Sequence, residues 1–270
     1  MGKFDIFDTI DSLRKTGQPF CVATVVRTAD VTSAKAGAKA AITQTGEILG
    51  HLGGGCVQRA VRTAGAEAIR SGETQMIRVK PSDKVVSLRD DDGAQLFKSG
   101  CPSGGTVDVL IEPYSPPPMV AIFGATPIGR AIAAHAMLAG YRVAVPANAG
   151  FAGVTAEFDP AQIEALSLSA DDFVVVASQG ANDLASLRAA LASPARRVSM
   201  VASRRKAATL SGKLAAEGMD ASLIGRLKSP AGLDLGGIDP QDIALSVMAE
   251  IALWKNTDRK AKETPNENHA

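Results

Sequence analysis

Apolar and polar positions in the first 114 residues follow the periods of short helices and strands. Apolar residues recur every three positions from Phe4 to Leu13, which is the spacing of one face of an amphipathic helix. An Ala-rich stretch at 57–71 precedes Gly72 and predicts a second helix. The other predicted elements are strands at 20–26, 74–80, 85–88 and 106–111 and a hairpin over 40–52. We therefore expect an α+β domain over residues 1–114.

The pattern changes after the Pro-rich segment 115–118, whose consecutive prolines favour an extended, semi-rigid linker. Apolar runs at 119–123, 142–145, 173–177 and 198–202 then alternate with helical stretches at 128–139, 183–192 and 204–217. A last helix is predicted from Pro240, and the polar residues 255–270 predict a disordered tail. Because strand–helix alternation is typical of βαβ units, the chain is predicted to be an α/β protein with a Rossmann-like parallel-sheet domain over 119–254.

Charge and composition exclude several classes of protein. The chain of 270 residues has 29 Lys and Arg against 28 Asp and Glu, so no overall field would attract nucleic acid or an anionic membrane. Its three cysteines do not form a disulfide framework and indicate a reducing compartment. No apolar run approaches the roughly 20 residues of a transmembrane helix, and the N-terminal residues lack the apolar core of a secretory signal. We expect a cytoplasmic protein.

The segment Gly124-Ala125-Thr126-Pro127-Ile128-Gly129 follows a predicted strand and begins a helix, as a dinucleotide fingerprint does. Thr126 replaces the second glycine, which normally lets the backbone approach a pyrophosphate, and no acidic residue ends the next strand. These changes count against ordinary NAD use. The segment is then either a packing turn or a site for another nucleotide, FAD included.

A cluster of cations, Ser203-Arg204-Arg205-Lys206, begins a predicted helix directly after a strand. Cations at a helix N-terminus oppose the helix dipole, and a bound phosphate would relieve that mismatch. The cluster therefore predicts a phosphate site, unless it is a solvated basic turn.

The loop Gly53-Gly54-Gly55-Cys56 is the strongest candidate for chemistry. Three glycines allow close approach of backbone N–H groups to a ligand, and the helix that follows lowers the pKa of a thiol at its start. The alternative is a tight structural turn with an incidental cysteine. Cys101 lies in a second glycine-rich turn and is either a plain turn residue or a partner of Cys56, with which it would form a redox pair or hold a soft metal or a sulfur species. Cys21, within an apolar strand, is predicted to be a core residue.

These segments together resemble the XdhC/CoxI family, accessory proteins of xanthine and carbon monoxide dehydrogenases. The resemblance extends over most of the chain, and its GGGC loop and its C-terminal runs are the most specific parts. It rests on residues 23–27, 33–39, 50–57, 101–105, 111–113, 122–125, 203–206, 230–235 and 240–246.

The resemblance implies a maturation factor that binds the molybdenum cofactor, assists its sulfuration and delivers it to an apo molybdenum hydroxylase. In bacteria this cargo usually carries a cytosine dinucleotide. The implied site includes Cys56 as the residue that contacts molybdenum or its sulfur, and Lys39 beside the glycine loop. A cysteine desulfurase or other sulfur donor is an expected partner, and a homodimer is expected.

Some positions depart from the family pattern. Gln58 stands where the family usually has Glu, and Ala34-Lys35 replaces an expected proline–arginine pair. The spacing after Cys101 resembles a subgroup associated with carbon monoxide dehydrogenase. Two alternatives remain open: a redox maturase that binds a flavin or NAD(P), and a thiol-based sulfur carrier that uses Cys56 and Cys101. An accessory role is favoured over that of a classical NAD-dependent dehydrogenase.

Overall fold

A computed structural model describes residues 5–85, 87–100 and 104–263. The chain divides into two compact units, residues 1–116 and 117–270. Within the described ranges, none of the helices has the length and apolar character needed to cross a membrane.

Unit 1 is a six-stranded sheet with two helices, in the strand order β3-β2-β1-β6-β4-β5. Its strand pairs are antiparallel except for β4 and β5, which run parallel. The predicted hairpin over 40–52 is confirmed as β2 and β3. The elements are α1 (Ile6–Thr16), β1 (Phe20–Ala29), β2 (Lys39–Thr43), β3 (Ile48–Gly50), α2 (Gly55–Ser71), β4 (Gln75–Pro81), β5 (Gln95–Ser99) and β6 (Thr106–Tyr114).

Helix α2 supplies the core of unit 1 because its small residues let it lie close to the sheet. Val57, Ala60, Val61, Ala64 and Ala68 are buried on one helix face, at the spacing of an amphipathic helix. The prediction that Cys21 is a core residue is confirmed, since its side chain is fully buried in this layer. Burial raises the pKa of the Cys21 thiol to about 12, so this thiol stays protonated and unreactive.

The predicted strand at 85–88 is wrong. Residues Ser82–Lys84 form a 3-10 turn, and Leu88 is 85% exposed, so its apolar side chain is not a core position. A tight turn follows, in which Gly93 has a positive φ of 84° and its N–H donates to the Asp90 carbonyl. The strand therefore begins only after this turn, at Gln95, as β5, which pairs with β4 in parallel.

Unit 2 is a six-stranded parallel sheet in the order β12-β11-β10-β7-β8-β9, with apolar cores on both faces. This arrangement confirms the predicted Rossmann-like domain, although the short strands β9 and β12 were missed. The elements are β7 (Met119–Phe123), α3 (Pro127–Leu138), β8 (Arg142–Pro146), β9 (Ala156–Phe158), β10 (Phe173–Val176), α4 (Asp183–Ala192), β11 (Arg197–Met200), α5 (Arg204–Ala216), α6 (Ala221–Ile224), β12 (Leu227–Lys228) and α7 (Pro240–Glu263).

Helix α7 continues to Glu263, so the disorder predicted from residue 255 does not begin there. The helix is held beyond Trp254 by contacts with the sheet side of the unit. Arg197 donates to the Asp258 carboxylate at 2.8 Å and lies over the Trp254 ring. The polar segment is therefore helical where Asp258 is paired with Arg197, a contact that composition alone does not reveal. Residues 264–270 lie outside the described part of the chain.

A charge network ties β4 to its neighbours on the sheet face opposite α2. Arg78 alternates with the buried Ile77 and Val79, and its guanidinium contacts the carboxylates of Asp108 and Asp90 at 2.7 and 2.5 Å. Asp108 is itself buried, with 5% of its surface exposed. Because a buried carboxylate is costly unless it is paired, Arg78 has a structural role in this unit.

We expect Arg78→Leu to lower the free energy of unfolding of unit 1 by about 2 kcal/mol. The loss is smaller than for a wholly unpaired buried charge because Arg27 still contacts Asp108 at 2.8 Å. Urea denaturation followed by circular dichroism measures the change. Arg70→Leu is the matched control: its pair with Glu67 is largely exposed, so it should cost less than about 1 kcal/mol. Equal losses in the two variants would contradict this assignment.

Candidate functional site

Of the three glycines before Cys56, Gly53 is the one that the backbone of the loop requires. Gly53 has a positive φ of 124°, and a Cβ atom there would lie 3.0 Å from the Cβ atom of Ala34. Gly54 takes the N-cap position of α2 in an extended conformation. Helix α2 then begins at Gly55, so Cys56 is the second residue of its first turn. The loop therefore places a thiol where the backbone N–H groups of the helix start are unpaired.

Hydrogen-bond donors surround the Cys56 sulfur and stabilise its thiolate form. The hydroxyl of Ser99 and the backbone N–H of Gly100 lower the pKa of Cys56, and the Arg59 guanidinium, with Nη2 at 3.4 Å from Sγ, lowers it further. The predicted cause was the helix start. The hydrogen bond from Ser99, at the end of β5, is the largest of the hydrogen-bond and charge contributions, and it was not predicted because the strand was misplaced.

Segments distant in sequence meet around this loop. A Cβ atom on Gly54 would lie 3.5 Å from the Ser33 Oγ atom, and Gly53 packs on Ala34. Val31 forms a β-bridge with Gly104, and a Cβ atom on Gly105 would lie 2.3 Å from the Val31 carbonyl oxygen. Residues 31–34, which follow β1, thus contact both glycine-rich turns. Cys101 lies outside the described residues.

An open pocket of about 510 Å³ lies beside Cys56, lined by Gly55, Cys56, Gln58, Arg59, Arg62 and Gly100. Arg59 and Arg62 give this pocket, named here the Cys56 pocket, a positive charge. Gln58 donates from Nε2 to the Gly53 carbonyl oxygen at 3.3 Å and so braces the glycine loop. An ionised Glu at this position could not donate that bond and would add a negative charge near the thiolate. The departure at Gln58 therefore favours the thiolate.

Lys39 is positioned at the start of β2, where its ammonium donates to the Thr24 hydroxyl on β1 at 2.8 Å. Its carbonyl oxygen would lie 2.8 Å from a Cβ atom on Gly50, the last residue of β3. The lysine thus lies against the strand that leads into the glycine loop. Within the described residues, its side-chain hydrogen bond goes to Thr24 and not to that loop.

In unit 2, Thr126 closes the turn formed with Gly124 and Ala125. Its hydroxyl accepts from the Gly129 N–H at 3.1 Å and donates to the Ala177 carbonyl at 2.8 Å. Gly124 has a positive φ of 117°, and a Cβ atom there would lie 2.5 Å from that same carbonyl oxygen. The turn therefore serves close strand–helix packing, and the threonine caps α3 where a fingerprint glycine would admit a phosphate.

The three cations after β11 have different surroundings. Ser203 caps α5 by accepting from the Lys206 N–H, and the Lys206 ammonium forms an ion pair with Asp183. Ser203 and Arg204 line a pocket of about 750 Å³, named here the β11–α7 pocket because its walls come from the end of β11, the 228–237 loop and the start of α7. Arg205 is not among the residues that line it. Of the cations in the predicted cluster, Arg204 therefore lines a cavity, whereas Lys206 is paired with Asp183.

Sequence reasoning missed the charged pair at the base of the β11–α7 pocket. Lys228 Nζ lies 2.7 Å from Glu250 Oε1, and Glu250 is 3% exposed. The available signal was a glutamate between the buried residues Val247 and Ile251 on the apolar face of α7, where an unpaired charge would be costly. The runs 230–235 and 240–246, which had no assigned role, also line this pocket in part.

Comparisons with known proteins match both units. The family model described as the XdhC Rossmann domain matches residues 120–251, and that of the XdhC and CoxI family matches residues 13–80. The uncharacterized protein YqeB of Escherichia coli (strain K12) is 29% identical over 264 aligned positions, which cover 93% of this chain and 46% of YqeB. The chain therefore spans about half the length of that relative.

Two solved structures are similar over parts or most of the chain. A Bacillus halodurans structure described as a xanthine dehydrogenase is 19% identical, with 97% of this chain and 98% of that chain covered and a TM-score of 0.46. An imine reductase of Streptomyces aurantiacus is 18% identical, with 50% and 61% covered and a TM-score of 0.28. At these scores neither likeness bears on function.

We expect the rate of Cys56 alkylation by iodoacetamide, measured in a Cys101→Ser background, to rise with pH around a midpoint below that of an unperturbed thiol. The reason is that the thiolate is the reacting form and the folded protein lowers its pKa. Ser99→Ala removes the largest cause and should move the midpoint upward. Arg70→Gln, in the last turn of α2 and away from Cys56, is the control and should leave it nearly unchanged. Coincident profiles for the parent and Ser99→Ala would contradict this account.

Proposed function

Because the chain belongs to the XdhC and CoxI family, we propose that it is a maturation factor for a molybdenum hydroxylase of the xanthine or carbon monoxide dehydrogenase type. In this role it binds the molybdenum cofactor as cargo, assists its sulfuration and passes it to the apo-enzyme. The observation that carries the proposal is the Cys56 thiol, which has a lowered pKa and lines an open pocket beside Arg59.

The chemistry of the Cys56 pocket suits a soft, anionic cargo. A thiolate is the metal-binding form of cysteine, and soft sulfur ligands suit metals with sulfur in their coordination sphere. Arg59 and Arg62 add positive charge, which favours an anionic molecule. Cys56 would thus contact molybdenum or its terminal sulfur, while the glycine loop offers backbone N–H groups close to the cargo.

The partners follow from this role. An apo molybdenum hydroxylase receives the cargo, and a cysteine desulfurase or another sulfur donor supplies the terminal sulfur. We also propose a homodimer in the cytoplasm.

The redox alternative is less supported, because Thr126 blocks the turn at which a flavin or NAD(P) phosphate would lie.

A thiol-based sulfur carrier is the second candidate, because the accessible Cys56 thiolate could also hold a persulfide. Mass spectrometry of protein purified without reductant distinguishes the two roles. A persulfide on Cys56 without bound molybdenum favours the carrier, whereas molybdenum without persulfide favours the cofactor-binding factor.

We expect Cys56→Ser to fold normally and to abolish maturation of a co-expressed molybdenum hydroxylase, because serine cannot supply a thiolate. Client activity, molybdenum content and cyanide-labile sulfur are the measurements. Cys21→Ala is the control: it should cost about 1 kcal/mol of stability, as a typical core substitution does, and leave maturation intact because that thiol is buried. A fully active Cys56→Ser protein would falsify the proposed role of this residue.

A further inference from the structure

In unit 2, the turn at the usual ligand crevice of a doubly wound sheet is tightly packed. Such sheets bind ligands beyond the carboxyl ends of the strands where the strand order reverses, which here is between β7 and β10. At that point Gly124 packs against the Ala177 carbonyl, and the Thr126 hydroxyl bridges the same carbonyl and the Gly129 N–H. This hydroxyl therefore both donates and accepts within the turn, which holds the turn closed where a phosphate would approach.

An open pocket lies beyond β11, namely the β11–α7 pocket. Its volume of about 750 Å³ is within the usual range of small-molecule sites, roughly 300–1,000 Å³. Three separate segments line it: the end of β11 with the start of α5, the loop after β12, and the first turns of α7. A ligand would therefore contact residues on three elements at once.

The loop after β12 is held in place by hydrogen bonds to Glu250 and Lys228. Glu250 Oε2 accepts from the Gly232 N–H at 2.9 Å, and Lys228 Nζ donates to the carbonyls of Pro230 and Gly232 at 2.7 and 3.1 Å. Gly232 has a positive φ of 91°, and a Cβ atom there would lie 2.2 Å from the Ser246 Oγ atom. Because Lys228 and the buried Glu250 brace the loop onto α7, binding would cost little further ordering.

The remaining lining groups define the chemistry of the ligand. Arg204 and Asp242 have no ion-pair partner within the described ranges, and both line the pocket. Leu233 and Leu235 line it too, and they are 38% and 54% exposed. The site thus offers a guanidinium for an anion, a carboxylate for hydroxyl or amine donors, and apolar surface for a flat ring.

We propose that the β11–α7 pocket binds a nucleoside monophosphate unit, with its phosphate on Arg204 and its sugar or base donors on Asp242. The unit is either a free nucleotide or the nucleotide half of a larger cofactor. In the second case the inference deepens the proposed function and rests on it, because it locates the nucleotide half of the cargo in unit 2.

The charge of the pocket limits the number of phosphates. Lys228 and Glu250 neutralise one another, which leaves Arg204 against Asp234 and Asp242. One cation beside two carboxylates can bind a single phosphate but disfavours the higher charge of a triphosphate. Monophosphates should therefore bind more tightly than triphosphates of the same nucleoside.

Isothermal titration of the full chain with CMP, AMP, ATP and inorganic phosphate tests the proposal. We expect a monophosphate to bind, and Arg204→Gln to weaken it about tenfold, as the loss of a charge-assisted hydrogen bond does. Arg205→Gln removes the same charge one residue along, outside the pocket, and should change the affinity by less than about twofold. Leu235→Ala should weaken the nucleotide but not inorganic phosphate.

Equal affinities of the Arg204→Gln and Arg205→Gln variants, or no binding of any monophosphate at millimolar concentration, would overturn the site. Circular dichroism of each variant verifies folding.

Nucleotide released by denaturing the purified protein separates the two sources: a dinucleotide or larger cofactor indicates the cargo, and CMP or AMP indicates free nucleotide. If Cys56→Ser abolishes maturation while no nucleotide binds, this inference fails and the proposed function stands. If nucleotide binds while Cys56→Ser stays active, this inference stands and the proposed role of Cys56 fails.

Discussion

The contact between helix α2 and strand β1 is the constraint on which the chemistry of unit 1 depends. A Cβ atom on Gly65 would lie 3.0 Å from the Cys21 sulfur and 3.3 Å from the Ile42 side chain, so glycine lets the helix approach the sheet this closely without displacing these side chains. The helix start then lies where Cys56 meets Ser99 and Gly100 at the end of β5. A displacement of the helix would separate the thiol from these donors.

The two cysteines of unit 1 that the structure describes show how one residue type acquires opposite chemistry. Cys21 is buried among apolar side chains, and desolvation raises its pKa. Cys56 lies at the helix start among hydrogen-bond donors, and these lower its pKa. The difference comes from the surroundings of each sulfur, because burial opposes the charged form while donors and cations stabilise it. Only the second thiol suits binding of a soft cargo.

Unit 2 shows the same dependence on close backbone packing, with a different consequence. Gly124 and Gly129 keep the tight strand–helix turn of a nucleotide-binding fold, whereas the Thr126 side chain occupies the position where a phosphate would approach. Space for a ligand is instead enclosed by the loop that Glu250 and Lys228 hold against α7. A fold that resembles dinucleotide-binding domains therefore need not place its ligand at the usual position.

The sequence by itself determined the α/β architecture, most strand and helix positions, and the glycine loop before Cys56, because apolar periodicity and glycine placement act locally. It misplaced β5 and the extent of α7, since a strand pairing and a set of cross-element ion pairs decide them. Only the tertiary structure brought Ser99 and Gly100 to Cys56 and selected Arg204 over Arg205 as the cation that faces a cavity. These contacts join residues far apart in the chain, and their geometry depends on packing that no local pattern encodes.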